Sequence, residues 1–372
     1  LTTAGTSEAR FDYNPSTLAA QGLLIEEQRT NSIRNNTMQG AVAGTPGTLP
    51  TNWTGNATVD GLSREVVGAG VENGINYVDV RFSGTSGTGG NSTLLTFESQ
   101  TEVVASNGQT WAASAYVKLV AGSLANVALF ALGIRYNNSG GTSLTAQNTT
   151  LTPTATFTRY TSAFAATDAT TAFVNSSLVA NFTDNSAVDF TLRIGLPQLE
   201  QGAFATSVIP TTTTALTRNA DVASMTGTNF SSWFNASEGT IFSQSVVSRQ
   251  VAIAGTGIVL LDGGAPEIIR LFYRGTGATA FGVTDNSVTQ CDLTPTGVLA
   301  ANAVAKLAGA YKLDDFATSG NGGAVTTDPT GTLPTVNQLT LGFSSVYLNG
   351  WIQRISYYPV RLPNSTLQAL TA

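Results

Sequence analysis

Two short stretches carry side chains suited to recognition chemistry. In Asn76–Ser83, Tyr77, Asp79 and Arg81 alternate with Val78, Val80 and Phe82; in Thr110–Leu119, Tyr116 and Lys118 alternate with Trp111, Ala113, Ala115, Val117 and Leu119. Flat aromatic faces suit the apolar side of a pyranose, while carboxylates and cationic side chains suit its hydroxyls. Tyr77, Asp79, Arg81, Tyr116 and Lys118 are therefore the candidate glycan-binding residues. The competing reading of the same five is an ordinary solvated sheet face or a subunit interface. Either reading requires two strands with one face in a core, because period-two alternation is what a half-buried strand produces.

Catalytic chemistry is sparse by comparison. The chain has no histidine, which removes Ser-His-Asp and Cys-His mechanisms and the usual zinc sites. No glutamate is followed two positions later by aspartate, so the strand-borne E-x-D pattern of sandwich glycosidases is missing. Asp314-Asp315 and Glu26-Glu27 are adjacent in sequence and on a strand would point to opposite faces, unlike the facing carboxylates of a retaining pair. A non-enzyme is expected. Calcium, held by loop aspartates such as Asp184, Asp189, Asp262 and Asp328, is the one cofactor the loops could accommodate, although no dense acidic loop occurs.

The elements that would position these residues are strands. Only 11% of the 372 residues are charged, and 38 are glycine; such a chain has the turns of a β protein and few of the Glu and Lys residues of helical surfaces. Its length allows two or three domains. A net charge of -6 offers no basic footprint for nucleic acid. The longest apolar runs, Val127–Ile134 and Val251–Leu261, fall well short of the roughly 20 residues needed to cross a bilayer as a helix, so membrane insertion is not expected. The single cysteine, Cys291, excludes an intrachain disulfide, consistent with synthesis in a bacterial cytoplasm. Trp53, Trp111 and Trp351 read as core residues.

The chain is organised around a seam, Leu192–Met225. Leu192, Ile194 and Leu196 alternate as a strand that Pro197 should end, and a threonine-rich connector follows Pro210. On either side lie segments of alternating strands, with Gly257–Asp262 and Glu267–Tyr273 expected to form a hairpin around Gly263–Pro266. Ala303–Tyr311 shows helix-like spacing of Val304, Leu307 and Ala308. Asn364–Leu370 reads as a terminal helix with Ser365 as N-cap.

Three strings carry a family resemblance. Arg10-Phe11-Asp12 and Pro15 followed by Gly22-Leu23-Leu24-Ile25-Glu26-Glu27-Gln28-Arg29-Thr30-Asn31, the seam string Gly195-Leu196-Pro197-Gln198-Leu199-Glu200-Gln201-Gly202 with Arg218-Asn219-Ala220-Asp221, and Leu348-Asn349-Gly350-Trp351-Ile352-Gln353-Arg354-Ile355 resemble segments of bacteriophage tail-fibre and other virion-surface proteins. The resemblance covers most of the chain. It implies an all-β fold of two tandem antiparallel β-sandwiches (jelly rolls): an N-terminal extended arm (1–34), a carbohydrate-binding-module-like jelly roll (35–210), a linker (211–225) and a concanavalin A-like or laminin G-like sandwich (226–372). It also implies a strand, not a helix, at Ala303–Tyr311. The arm would strap the first sandwich or dock on another virion structural protein.

The expected function is that of a non-catalytic tail fibre, head fibre or decoration protein, a homo-oligomer on the virion surface that attaches to a host cell-surface polysaccharide. A purely structural decoration protein and the binding portion of a secreted polysaccharide-degrading enzyme are the alternatives.

Overall fold

A computed structural model of the chain describes residues 8–14, 19–88, 91–247, 255–264, 266–300 and 302–372. Pro15, the end of the Gly84–Gly90 loop, the start of the Val251–Leu261 run and Ala265 of the expected hairpin loop lie outside the described residues.

The fold is all-β, with two antiparallel sandwiches that each enclose their own core. In chain order, β1 (Phe11–Tyr13) and β2 (Ala20–Ile25) come first. They are followed by β3 (Arg29–Asn31), β4 (Thr58–Val59), β5 (Leu62–Glu72), β6 (Ile75–Thr85), β7 (Asn91–Thr96), β8 (Val103–Val104), β9 (Thr110–Ser123) and β10 (Val127–Asn137). Next are β11 (Ser143–Thr150), β12 (Thr158–Ala165), β13 (Phe173–Phe182), β14 (Ala187–Gln201) and β15 (Leu216–Arg218). The remaining strands are β16 (Ala223–Thr226), β17 (Glu238–Val247), β18 (Thr256–Asp262), β19 (Ile268–Tyr273), β20 (Thr279–Asp285), β21 (Val288–Leu293), β22 (Val304–Lys312), β23 (Phe316–Gly320), β24 (Thr326–Asp328), β25 (Gln338–Leu341) and β26 (Gly350–Tyr358). One short helix, α1 (Thr228–Ser231), follows β16, and α2 (Asn364–Thr371) closes the chain.

Arg29–Arg218 form one compact unit. One of its sheets runs β12-β9-β14-β6-β5-β4; the other runs β11-β10-β13-β7, with β8 also on β13. The alternating Val78, Val80 and Phe82 of β6 and Trp111, Ala113, Ala115 and Val117 of β9 meet Leu132, Ile134 and Tyr136 of β10 in a single core. Trp53 is 6% exposed and donates its indole N–H to the Asn35 carbonyl at 2.8 Å, which satisfies the polar edge that its burial would otherwise strand.

The second unit joins Asn219–Ala372 with the described residues up to Gln28. Its sheets run β1-β2-β26-β17-β22-β23-β24 and β16-β25-β18-β19-β20-β21. The N-terminal arm is extended, but it does not strap the first sandwich. Leu23, Leu24 and Ile25 pair with Ile352, Trp351 and Gly350, and Ile25 lies in the second core. The physical reason is edge closure: without β2, β26 would present a bare row of backbone donors and acceptors. Trp351 is half-buried, and its indole donates to Asp12 at 2.9 Å.

Other local expectations are also revised. β14 does not stop at Pro197; it runs on to Gln201 through a bulge between Gly195 and Gln198, where the ladder needs no amide from proline. The connector at 211–225 is partly strand, with Leu216–Arg218 on β3 and Ala223 onward on β25. Val304–Lys312 is a strand, as the family resemblance implies, because its neighbours β17 and β23 supply a full ladder. The N-cap of α2 is Pro363, not Ser365, and it makes no side-chain cap bond. The expected hairpin is present as β18 paired with β19.

Candidate functional site

The structure brings all five predicted residues onto one sheet, but β14 lies between their two strands. Arg193 stands opposite both Asp79 of β6 and Lys118 of β9, and Gly195 stands opposite both Tyr77 and Tyr116. Arg193 therefore organises the face. Its fork donates to both Asp79 oxygens at 2.8 and 2.7 Å and also to Glu72. Its guanidinium carbon lies 3.5 Å from the centre of the Tyr77 ring, so that ring face is already occupied by a cation. Lys118 donates to Glu72 at 2.7 and 2.8 Å. Arg81 holds Asp189 in a two-point pair at 2.8 and 2.7 Å and reaches Glu65 at 3.5 Å.

Tyr116 departs furthest from the reading as an open aromatic platform. It is 8% exposed and packs with Ile75, Leu196, Val208 and Phe157 in a small satellite cluster, with its ring edge-on to Phe157 at 5.6 Å. The segment after β14 folds back to cover it. Glu65, Glu72 and Arg193 are the members of this network that sequence reasoning missed. The available signal was the alternation of Arg193 with Leu192 and Ile194, which fixes its outward face but not its neighbours.

This network has a pH signature. The Lys118 ammonium, opposed by burial and aided by Arg193, holds the Glu72 carboxyl below its ordinary 4.5. The Arg81 guanidinium holds Asp189 below its ordinary 3.8. Folded-state values below the unfolded ones mean stability that is fully present above those ordinary values and is lost as pH falls through the folded ones. The thermal midpoint of the sandwich should therefore be level near neutrality and decline below about pH 4.5. Lys118→Met should make the decline shallower, as melts followed by tryptophan fluorescence would show; an unchanged slope would remove Glu72 from the account.

The opposite sheet of the same sandwich carries a different surface. Along β10, Gly133 stands opposite Asn148 of β11 and Ser177 of β13, and Arg135 stands opposite Ala146 and Asn175. These residues lie on the face of β10 turned away from the core residues Leu132, Ile134 and Tyr136. A side chain at position 133 would come within 2.7 Å of Asn148 Oδ1 and 3.3 Å of Ser177 Oγ, so glycine there lets the amide lean across the strand. Five polar atoms on this face are buried without a partner: Arg135 Nε, Asn137 Oδ1, Asn148 Oδ1, Asn175 Nδ2 and Ser177 Oγ. Asn137 Nδ2 donates to Asn175 Oδ1 at 2.9 Å and to the Gln100 carbonyl at 3.2 Å, which fixes the orientation of both amides. Arg135 has no ion-pair partner among the described residues, and burial pulls its pKa down. Native proteins leave few buried polar groups unpaired. Asn137, Asn175 and Ser177 are fully buried, whereas Arg135 and Asn148 are half-buried and are the two of this set whose side chains reach the surface.

The aspartates considered for calcium do not build a cradle. Asp189 is engaged by Arg81, Asp262 accepts from the Gly264 amide and Gln338, and Asp328 accepts from Thr330. Among the described residues no three acidic, histidine or cysteine side chains gather to hold a metal. No helix among those residues is long and apolar enough to cross a membrane.

No family model matches the sequence, and no curated protein matches it. Among solved structures, the chain is similar to the CBM40 of the Ruminococcus gnavus IT-sialidase bound to α2,3 sialyllactose, at 15% identity and a TM-score of 0.32 over 37% of this chain and 84% of that one. It is also similar to domains LG4-5 of the mouse laminin α1 chain, at 9% identity and a TM-score of 0.31 over 70% of this chain and 85% of that one. The CBM22-1-CBM22-2 tandem of Paenibacillus barcinonensis Xyn10C aligns at 12% identity and a TM-score of 0.26 over 92% and 99% of the two chains. At such scores these likenesses say nothing about what this chain binds.

Proposed function

We propose that this chain is a non-catalytic bacteriophage virion-surface protein that binds a host cell-surface polysaccharide through the Arg135–Asn148 face of its first sandwich. The observation that carries the binding reading is the half-buried pair Arg135 and Asn148 on that face, the guanidinium having no ion-pair partner among the described residues. Sugar hydroxyls, which both donate and accept, match a planar amide and a guanidinium of this kind. The virion setting rests on the resemblance of the Gly22–Asn31, Gly195–Gly202 and Leu348–Ile355 strings to phage surface proteins. In this reading residues 20–25 are committed to the second sandwich, and the exposed Phe11 and Tyr13 of β1 are the part of the arm left for a neighbouring virion protein. Single sites of this kind are weak, and their repetition in a homo-oligomer on a particle would multiply them.

The competing location is the Tyr77–Lys118 face, where the same side-chain types are present but engaged with one another. Binding of host polysaccharide by the purified protein separates the two. Arg135→Met and Asn148→Ala should each weaken binding by about tenfold, the loss of one or two hydrogen bonds to charged or amide groups. Tyr77→Ala and Arg81→Met should leave it within about twofold. The reverse pattern would move the site to the other sheet, and no binding by the wild type would favour the structural decoration alternative.

A further inference from the structure

The second sandwich holds a cleft that the glycan reading of the first does not use. β19 alternates Ile269, Leu271 and Tyr273 in the core with Arg270 and Phe272 on the other face; Arg274 follows the strand with the same parity. The Arg270 and Arg274 guanidinium carbons lie 4.2 and 5.6 Å from the centre of the Phe272 ring. Phe272 is only 5% exposed, so it serves as a fixed platform under two cations. On β20, Gly282 stands opposite Arg270, and Asp292 of β21 stands opposite Gly282. A side chain at 282 would lie 3.2 Å from the Phe272 ring and 3.5 Å from Arg270 Nε. Glycine thus leaves the lane across which both groups lie flat. Arg270, Phe272, Arg274 and Asp292 line a cleft of about 530 Å³, with Thr276 and Ser345 among its other lining side chains.

The charges in the cleft do not balance. Arg274 is spent on Asp292 at 2.5 Å and on the Thr294 hydroxyl at 2.6 Å. Arg270 reaches only the Ser344 hydroxyl, at 3.4 Å, and has no carboxylate partner among the described residues. Burial lowers its pKa, an effect that Asp292 opposes and Arg274 reinforces. A half-buried guanidinium with a free fork is the group best matched to a planar carboxylate. The cleft is also far larger than one carboxylate requires and falls in the range of small-molecule sites.

We infer that this cleft binds an acidic saccharide, with a ring carboxylate on the Arg270 fork and ring hydroxyls on Thr276 and Ser345. It is independent of the Arg135–Asn148 face and stands or falls separately. The test is calorimetric titration of the full chain with digalacturonate, its neutral methyl ester and acetate. Digalacturonate should bind, weaken as salt is raised, and lose at least about tenfold in affinity in Arg270→Met, with Arg270→Lys intermediate, because a point charge replaces the fork. Arg270→Met keeps an apolar side chain over Phe272 and loses no ion pair, so it should still melt cooperatively within a few degrees of the wild type. Thr276→Val, which leaves both arginines in place, should weaken digalacturonate without changing acetate. Equal binding of the methyl ester, acetate binding as tightly as digalacturonate, affinity unchanged in Arg270→Met, or no binding of digalacturonate would each overturn the assignment.

Discussion

A fragment comprising residues 219–372 should fail to fold as a stable monomer, whereas residues 29–218 should fold alone. The first fragment contains all of the sequence-expected second domain but lacks β2. Without it, Ile25 at 1% exposure and Leu24 at 7% are lost from their places against the second sandwich, and each such side chain is worth about 1.5–3 kcal/mol. Arg10, which bridges Glu26 and Asp221, goes with them. The sum approaches the whole stability of a typical domain, about 5–15 kcal/mol. The exposed edge of β26 is also a template for aggregation. Circular dichroism melts and light scattering of the two fragments would measure this, and adding a peptide of residues 8–28 should restore a cooperative transition. A monomeric 219–372 fragment melting near the intact unit would show that β2 is an accessory.

The second large effect is expected at Arg34. The carboxylate of Glu98 is fully buried and accepts from the Arg34 amide at 3.1 Å, Arg34 Nε at 3.1 Å, Arg34 Nη2 at 2.8 Å and the Ser99 amide at 2.9 Å. Arg34→Ala removes both side-chain donors and leaves a buried anion on two backbone amides. Breaking a buried pair from one side costs about 3–5 kcal/mol, or roughly 10 °C in the midpoint of a unit this size. Glu102, 3.1 Å from Arg34 on its exposed side, also loses its cation in this variant. Combining Arg34→Met with Glu98→Gln should recover most of the loss, since the buried charge is then gone. Denaturant titration of the two variants decides the matter: a loss below about 1 kcal/mol in Arg34→Ala would mean that the carboxylate is not held as a buried ion.

What the sequence disclosed is what is local. The alternation of Val78, Val80 and Phe82 with Tyr77, Asp79 and Arg81 is a property of one strand, and it correctly assigned faces on both β6 and β9. That Arg193 would stand between them was not legible, because strand order is set by long-range pairing and β14 is more than a hundred residues from β6 in sequence. Tyr116 was placed on the correct face, yet its exposure depended on Phe157 and Val208, which arrive from other segments. The helix-like spacing of Val304, Leu307 and Ala308 lost to the ladder offered by β17 and β23, where tertiary context overrides a short periodic pattern. The Arg135 and Arg270 surfaces were missed for a further reason. Each depends on a glycine, Gly133 two residues before Arg135 on β10 in one and Gly282 opposite Arg270 on β20 in the other, and a glycine's role as an open lane becomes visible only once its cross-strand neighbours are known.

The pairing of β3 with β15 also bears on how such proteins can diversify. Thr30 stands opposite Thr217, so the first sandwich begins and ends on adjacent strands, about 5 Å apart. On the other side of those junctions, the Asp221 amide donates to the Glu26 carbonyl at 2.9 Å and the Glu26 amide donates to the Asp221 carboxylate at 2.7 Å. Residues 29–218 are thus a cassette with neighbouring ends, inserted into a host sandwich that closes around the insertion point. Any domain whose own termini lie side by side could replace it by recombination at two short sites without altering a single strand pairing in the host. Such an exchange would replace the whole first sandwich in one step.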